Sequence, residues 1–266
     1  MLAKHTRLDL DRRLSRTDMS RSFGRYKKEV TQPVRQVEVK EDRKLAKIRA
    51  AWDNLRLVTQ DSPDYEEACR LVRDIGHSAK NVERFSISLA DLQDEQFFGI
   101  RAGYFLSALV ATGKSRTYRI TTRHLAYQIH ELGYFNPKNK NIIVDGDIGY
   151  GVGVKMIGGI ILVRGNTASA VGQEMEGGNI IVEGSVVDGI AGFEMRGGKI
   201  LIKGNGGDRI GYYMRGGTLE VMGTAGEFVG EDAKGGTIYL NCDYKSIDET
   251  TRARIYHRGA LVNQPK

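Results

Sequence analysis

The sequence has little cysteine and no long apolar segment. Its two cysteines, Cys69 and Cys242, do not have the spacing of metal ligands, and we expect both to be structural thiols. No apolar stretch reaches about 18 residues, which argues against a membrane-spanning helix. Residues 1–16 also lack the apolar centre of a signal peptide. We therefore expect a soluble, cytoplasmic protein with no membrane partner.

Glycine is abundant, and it recurs with a fixed period. The second glycine of each Gly-Gly pair stands 19 or 20 residues from the next, and the apolar residues between the pairs fall into columns. The columns are Ile161, Ile180, Ile200, Leu219 and Ile238; Val163, Val182, Ile202, Val221 and Leu240; Val152, Val171, Ala191, Ile210 and Val229; and Met156, Met175, Met195, Met214 and Ala233. Such a period predicts stacked units that share one core.

Each unit is too short for a strand–helix–strand crossover, so its strands must be joined by bends. The prediction is a right-handed parallel β-helix of about five coils over residues 141–241. Glycine suits the bends, because positive φ and close backbone contact both exclude a Cβ atom. At about 4.8 Å per coil the stack would be roughly 25 Å long.

Four of the repeated segments resemble the GxGxG β-helix family. They are "GVKMIGGIILVRGN", "GQEMEGGNIIVEGS", "GFEMRGGKILIKGN" and "GYYMRGGTLEVMGT". That domain occurs at the C-terminal end of the large subunit of glutamate synthase and in one of the subunits of formylmethanofuran dehydrogenase. The resemblance covers residues 141–241 and implies a packing and scaffolding element, with the chemistry in other domains or subunits. It carries no catalytic positions over to this chain.

The flanking segments predict helices. Residues 41–59, 63–75 and 94–113 have helical apolar patterns, and residues 121–133 place Leu125, Ile129 and Leu132 on one face. We expect a mostly helical domain over residues 41–140 that caps the first coil, since an open β-helix end exposes unpaired backbone. A capping box from Ser246 to Glu249 predicts a short helical cap within residues 242–266.

Several motifs imitate functional sites. "ALVATGKS" resembles a phosphate-binding loop with Ala108 in place of the first glycine, but a helix is expected before it and a strand after it, the reverse of that motif. "GYGVG" at 149–153 is explained by the coil period. No GxSxG elbow occurs.

Single histidines and carboxylates do not form a convincing site either. On a helix His124 and His130 would lie on different faces, and Asp145 and Asp147 form too small a pair for calcium or for acid–base chemistry. We expect no catalytic residue, no cofactor, no metal and no small-molecule substrate.

The basic charge belongs to the two ends of the chain. Net charge is +9 over residues 1–140, −6 over 141–250 and +4 over the tail. Residues 1–40 form a basic arm with eleven Lys or Arg against five Asp or Glu. The arm is a solvated tail, a segment docked on a partner protein, or a binder of RNA or another polyanion. Its candidate contact residues are Arg12, Arg13, Arg16, Lys27 and Lys28.

Three functions remain open from the sequence. The first is a non-catalytic scaffold subunit that holds other protein subunits of a cytoplasmic complex, which includes complexes like those of glutamate synthase or formylmethanofuran dehydrogenase. The second is an RNA- or polyanion-binding protein that uses the basic arm. The third is an enzyme with a site in the pocket between the helical domain and the first coil.

Deletion of residues 1–28 separates the first two functions. RNA binding through arm phosphate contacts should weaken steeply with salt, with a log–log slope of several units. Docking on a protein through Leu8, Leu10, Leu14 and Phe23 should depend less on salt. We expect the deletion to lose protein partners, as measured by affinity capture. Loss of RNA affinity with partner capture unchanged would contradict this expectation.

Overall fold

The structure, a computed structural model, describes residues 42–55 and 65–263. Within these residues there are four α-helices, with a short 3-10 helix at Leu89–Leu92 before the last. The helices are α1 (Arg43–Asn54), α2 (Tyr65–Val72), α3 (Ala79–Ser88) and α4 (Phe98–Thr112). Asp42 starts α1 by accepting hydrogen bonds from the backbone N–H groups of Lys44 and Leu45. A helix is therefore present within each of the predicted ranges 41–59, 63–75 and 94–113, although each is shorter than predicted and part of the first two ranges lies outside the described residues. Helix α3 was not expected.

The rest of the described chain forms one sheet of nine strands in sequence order. The strands are β1 (Thr117–Thr121), β2 (Asn141–Asp145), β3 (Ile160–Val163), β4 (Asn179–Val182), β5 (Lys199–Ile202), β6 (Thr218–Val221), β7 (Thr237–Leu240), β8 (Arg254–His257) and β9 (Ala260–Leu261). Strands β1 to β8 pair parallel, each with the next, and β9 pairs antiparallel with β8. This is a parallel β-solenoid, as the period predicted.

The predicted core columns are confirmed. All twenty residues of the four columns are buried, and the strand registers place like positions side by side, such as Ile161 beside Ile180. Gly159 shows why glycine recurs: its φ is +77°, and an added Cβ would lie 1.9 Å from the carbonyl oxygen of Lys140 in the preceding coil. No other residue fits that contact without moving the backbone.

Polar side chains form a second ladder at the bend after the strands. The backbone N–H of Asn166 donates to Asp147 at 2.7 Å, that of Ser185 to Asn166 at 2.9 Å, and that of Asn205 to Ser185 at 3.0 Å. The N–H of Thr224 continues the row by donating to Asn205 at 2.9 Å. Each coil thus satisfies backbone donors of the next coil, which fixes the bend as well as the strand.

The helices cover the open edge of the first coil. The backbone N–H of Thr121 donates to the Ser86 hydroxyl of α3 at 3.2 Å, and that of Gly133 donates to the Ser107 hydroxyl of α4 at 2.8 Å. Helix α4 comes very close to the coil, because a Cβ on Gly103 would lie 1.6 Å from the carbonyl oxygen of His130. These contacts satisfy backbone groups that an uncovered end would expose.

The solenoid begins one coil earlier than the sequence indicated. Strand β1 pairs with β2 from Thr117 to Thr121, so the expected start near residue 141 is wrong. The helix expected over residues 121–133 is also wrong, because these residues form the bends of the first coil. Ile129 and Leu132 are fully buried in the shared core, and the Leu132 carbonyl accepts from Gly153 N–H of the next coil at 2.9 Å. Pairing with the following coil outweighs the local helical pattern.

The C-terminal helical cap is likewise corrected. Residues 246–253 form turns and bridges, and β8 and β9 follow as a hairpin. Asn263 completes this end, since its side chain accepts from the Ile255 N–H at 2.7 Å and donates to the Ala253 carbonyl at 2.8 Å. The capping-box pattern at Ser246 does not start a helix, because Ile247 instead forms a parallel bridge with Val229 of the preceding coil, and the Ser246 carbonyl accepts from the Val229 N–H at 3.0 Å.

We predict that Ile200→Asp prevents stable folding, whereas Lys199→Asp does not. Ile200 is fully buried, and a carboxylate there would have no partner, at a cost of about 4 kcal/mol or more. Lys199 is the preceding residue on the exposed face, where the same substitution should cost no more than about 1 kcal/mol. Thermal melts of both variants test this. Equal melting temperatures of the two variants would show that the Ile200 side chain does not point into the core.

Candidate functional site

The five basic residues proposed as contacts, Arg12, Arg13, Arg16, Lys27 and Lys28, lie outside the described residues. Any site that the structure shows therefore lies within residues 42–55 and 65–263. Two surfaces stand out there. One is the junction between the helices and the first two coils, and the other is the outer face of the parallel sheet.

The loop that resembles a phosphate-binding loop has a structural role. The buried Lys140 side chain donates from Nζ to the carbonyl oxygens of Gly113 and Ser115, the latter at 2.9 Å. The Ser115 hydroxyl accepts from the backbone N–H of Ala79 at 3.0 Å, at the start of α3. The loop thus turns carbonyl oxygens inward, whereas a phosphate cradle presents N–H groups to the ligand. Burial lowers the pKa of Lys140, a residue whose role was not expected from the sequence.

The two acidic residues beside a turn also serve the fold. Asp147 is the first rung of the polar ladder, and Asp145 accepts from Arg119 and from Arg164, the latter at 3.0 Å. Burial raises the pKa of Asp145, but the hydrogen bonds from the two arginines outweigh it and lower the pKa below its ordinary value. Neither carboxylate is set up for acid–base chemistry.

The junction contains a cluster of titratable side chains. The His130 ring stacks on Tyr150 at 4.2 Å between centroids, and its Nδ1 accepts from the Tyr150 backbone N–H at 3.2 Å. Beside it, Glu131 is half-buried with φ +59°. Burial raises the pKa of Glu131 to about 7, although nearby Lys155 opposes the shift. Burial lowers the pKa of His130. The histidine therefore lies at the junction and not on a helix surface, and Glu131 was not singled out from the sequence.

A groove of about 550 Å³ opens next to this cluster. It is lined mainly by Phe97, Phe98, Ile100, Tyr127, His130 and Tyr150. Its polar residues hold the junction together. The Gln93 side chain accepts from the backbone N–H groups of Ala126 and Tyr127, at 2.6 and 2.9 Å, and Glu95 pairs with Arg101. The pocket expected between helices and coil therefore exists, and its Gln93 and Glu95 side chains make structural contacts.

His124 does not join this cluster. Its Nε2 lies 3.0 Å from the carbonyl oxygen of Ile87, outside the groove. Among the described residues no three His, Cys, Asp or Glu side chains group as a metal site would require. Cys69 is half-buried and Cys242 is exposed, and both are free thiols.

The outer face of the sheet is the second candidate surface. Four consecutive coils place an aliphatic side chain at the middle outward position, where it is partly exposed. These residues are Ile143, Leu162, Ile181 and Leu201, and they form a stripe that we call the outer stripe. These four side chains are not part of the core, because the alternate residues of each strand point inward and fill it. A row of four such side chains on a surface is typical of an interaction site.

Charged residues border the outer stripe in strict alternation. Asp145, Arg164, Glu183 and Lys203 occupy the next outward position of the same four coils. Neighbours in this row pair within the chain: Arg164 with Asp145 at 3.0 Å, and Lys203 with Glu183 at 3.1 Å. We call these four residues the charged row. Arg119 and Glu220 extend the line of the outer stripe at its two ends.

Comparisons with known proteins do not add to this picture. No protein-family model matches the chain, and no curated protein matches it significantly. The resemblance to GxGxG domains therefore rests on the repeated motifs. None of the helices in the described ranges has the length and apolar character that crossing a membrane requires.

We predict that Glu131→Gln stabilises the protein at pH 8 and has no effect at pH 4.5. Because burial raises the pKa of Glu131 to about 7, the folded protein keeps a proton that the unfolded chain loses nearer pH 4.5. This stabilising contribution is complete below about pH 4.5 and is lost as the pH rises through about 7. The glutamine should gain about 1 kcal/mol at pH 8.

The measurement is the melting temperature of parent and variant at both pH values. Glu176→Gln, at an exposed bend position, is the matched substitution and shows whether the effect belongs to the junction. A difference between the Glu131 variant and the parent that is the same at pH 4.5 and pH 8 would contradict the buried-carboxylate account.

Proposed function

We propose that this protein is a non-catalytic scaffold subunit, which holds partner subunits of a cytoplasmic complex through its β-solenoid. The observation that carries the proposal is the outer stripe. Leu162 and Ile181 are partly exposed in the middle of a regular sheet and do not belong to the inward-facing core. An apolar strip bordered by charges is the common composition of a protein-binding surface, with an apolar centre and a polar rim.

The roles of the other conspicuous residues support the proposal. Lys140, Asp145 and Asp147 hold loops, strands and bends together through the contacts described above. A stacked sheet is also rigid, so binding to it costs little conformational entropy. The right-handed winding and a place in a complex like that of glutamate synthase belong to this proposal, on the strength of the resemblance.

The proposal is tested by placing a charge in the outer stripe. We expect Ile181→Lys to lose partner subunits, because a lysine at its centre would be desolvated without a counter-charge. Ile157→Lys is the matched control, since Ile157 is 38% exposed on a bend outside the sheet. Affinity capture from the source cells with quantitative mass spectrometry compares both variants with the parent. Equal capture by all three would count against the outer stripe as the docking surface.

A further inference from the structure

The outer face of the sheet is complementary, in both apolar and charged residues, to the same face of a second copy that is turned end for end. We propose that a second copy of the chain binds this face, with the two solenoids antiparallel and the sheets face to face. The inference rests on the proposed function of the same surface as a binding site, and the second copy would compete with partner subunits for it. The arrangement needs a two-fold axis that runs parallel to the strands and passes between β3 and β4. It sets β3 against β4, β2 against β5 and β1 against β6 of the other copy, so both copies use the same patch.

The apolar residues match in this arrangement. Leu162 of one copy faces Ile181 of the other, and Ile143 faces Leu201. The symmetry repeats each contact, so four pairs form a continuous apolar centre from eight side chains. All four residues are partly exposed in the single chain, and the contact would remove that remaining apolar surface from water.

The charges of the charged row also match, pair by pair. Arg164 of one copy faces Glu183 of the other, and Asp145 faces Lys203. Strands β1 and β6 follow the same rule, because Arg119 faces Glu220. The exposed side chains of Arg164, Glu183 and Lys203 are available for this contact while they keep their neighbours in the charged row. Each of these charges therefore meets an opposite charge across the interface.

Neighbouring registers lack this match. If the axis moves by half a coil onto β4, Glu183 faces itself and Arg164 faces Lys203. If it moves onto β3, Arg164 faces itself and Asp145 faces Glu183. A two-fold axis along the solenoid would place Arg119 against Arg119 and Glu220 against Glu220. Like charges therefore disfavour these three alternatives. A shift by a whole coil keeps opposite charges in contact but sets Glu220 against Leu162, or Arg119 against Ile181, so only the central register matches both the apolar and the charged residues.

The size of the face sets the expected affinity. The face comprises six strands spaced about 4.8 Å apart, each counted over about five residues so that the charged row is included. It covers roughly 29 by 16 Å, or on the order of 450 Å² on each copy. A total near 900 Å² is below that of stable dimers and is typical of weak association. We expect a dimer with a dissociation constant of roughly micromolar size, which weakens with added salt because charges border the contact.

The test is sedimentation equilibrium of the full chain over a range of concentrations. Arg164→Glu should weaken the dimer about tenfold or more, since the symmetry creates two repulsive contacts with Glu183. Arg164→Glu combined with Glu183→Arg restores opposite charges across the interface, although it sets like charges beside Asp145 and Lys203 within each chain, and it should bind more tightly than Arg164→Glu alone. Arg215→Glu makes the same charge change at an exposed bend position away from the sheet and should leave the affinity unchanged.

The outcomes separate this inference from the proposed function. A parent chain that stays monomeric at every concentration overturns the dimer, as does a double variant that associates no better than Arg164→Glu. If Ile181→Lys nevertheless loses partner subunits, the scaffold function stands without the dimer. If the dimer forms with the predicted charge dependence and partner capture is unchanged in Ile181→Lys, the inference stands and the outer stripe is not the surface that docks partner subunits.

Discussion

The in-register stacking of coils is the constraint on which the rest of this structure depends. Each parallel strand donates and accepts backbone hydrogen bonds with the coils on either side, so equivalent residues must lie one above another. The fixed backbone spacing then requires glycine where coils touch most closely, as at Gly159. It also allows one side chain per coil to serve the next coil, as Asp147 does for Asn166.

The same constraint produces both the core and the outer surface. Inward-facing columns, such as the one that contains Ile161 and Ile180, form a continuous core. Outward-facing columns form straight rows of side chains at a regular spacing. A row of aliphatic residues beside a row of alternating charges is therefore a rigid pattern and not a chance patch. Rigidity matters for binding, because a surface that is already ordered loses little entropy when a partner docks.

A stack of coils has two ends, and the protein closes them differently. At the start, side-chain hydroxyls of Ser86 and Ser107 accept from backbone N–H groups of the first coil, which only helices placed close to the coil can achieve. At the other end a two-residue strand and Asn263 cover the edge of β8. The closure at the start also buries Glu131, which couples the stability of the junction to pH.

The period of the sequence determined the architecture of residues 141–241, because the pattern of each coil is local and repeats. Ile200 and Met195 could be placed inside from that pattern alone, since the same contacts recur in every layer. The first and last coils of the stack could not be predicted in this way. Strand β1 and strand β8 lack the Gly-Gly motif, and they form because the free edges of β2 and β7 offer them partners.

The conformation of residues 121–133 and 246–253 depends on contacts with neighbouring coils. Their local patterns favour helices, but Leu132 joins the shared core and Ile247 forms a bridge with Val229 of the adjacent coil. The outer stripe also depends on the stacking of coils. Leu162 and Ile181 are 19 residues apart in the chain and become neighbours on one face through the register of β3 and β4. The repeat of residues can be read from the amino-acid order alone. Which of these residues share a surface depends on the stacking of coils, because a surface is made from several coils at once.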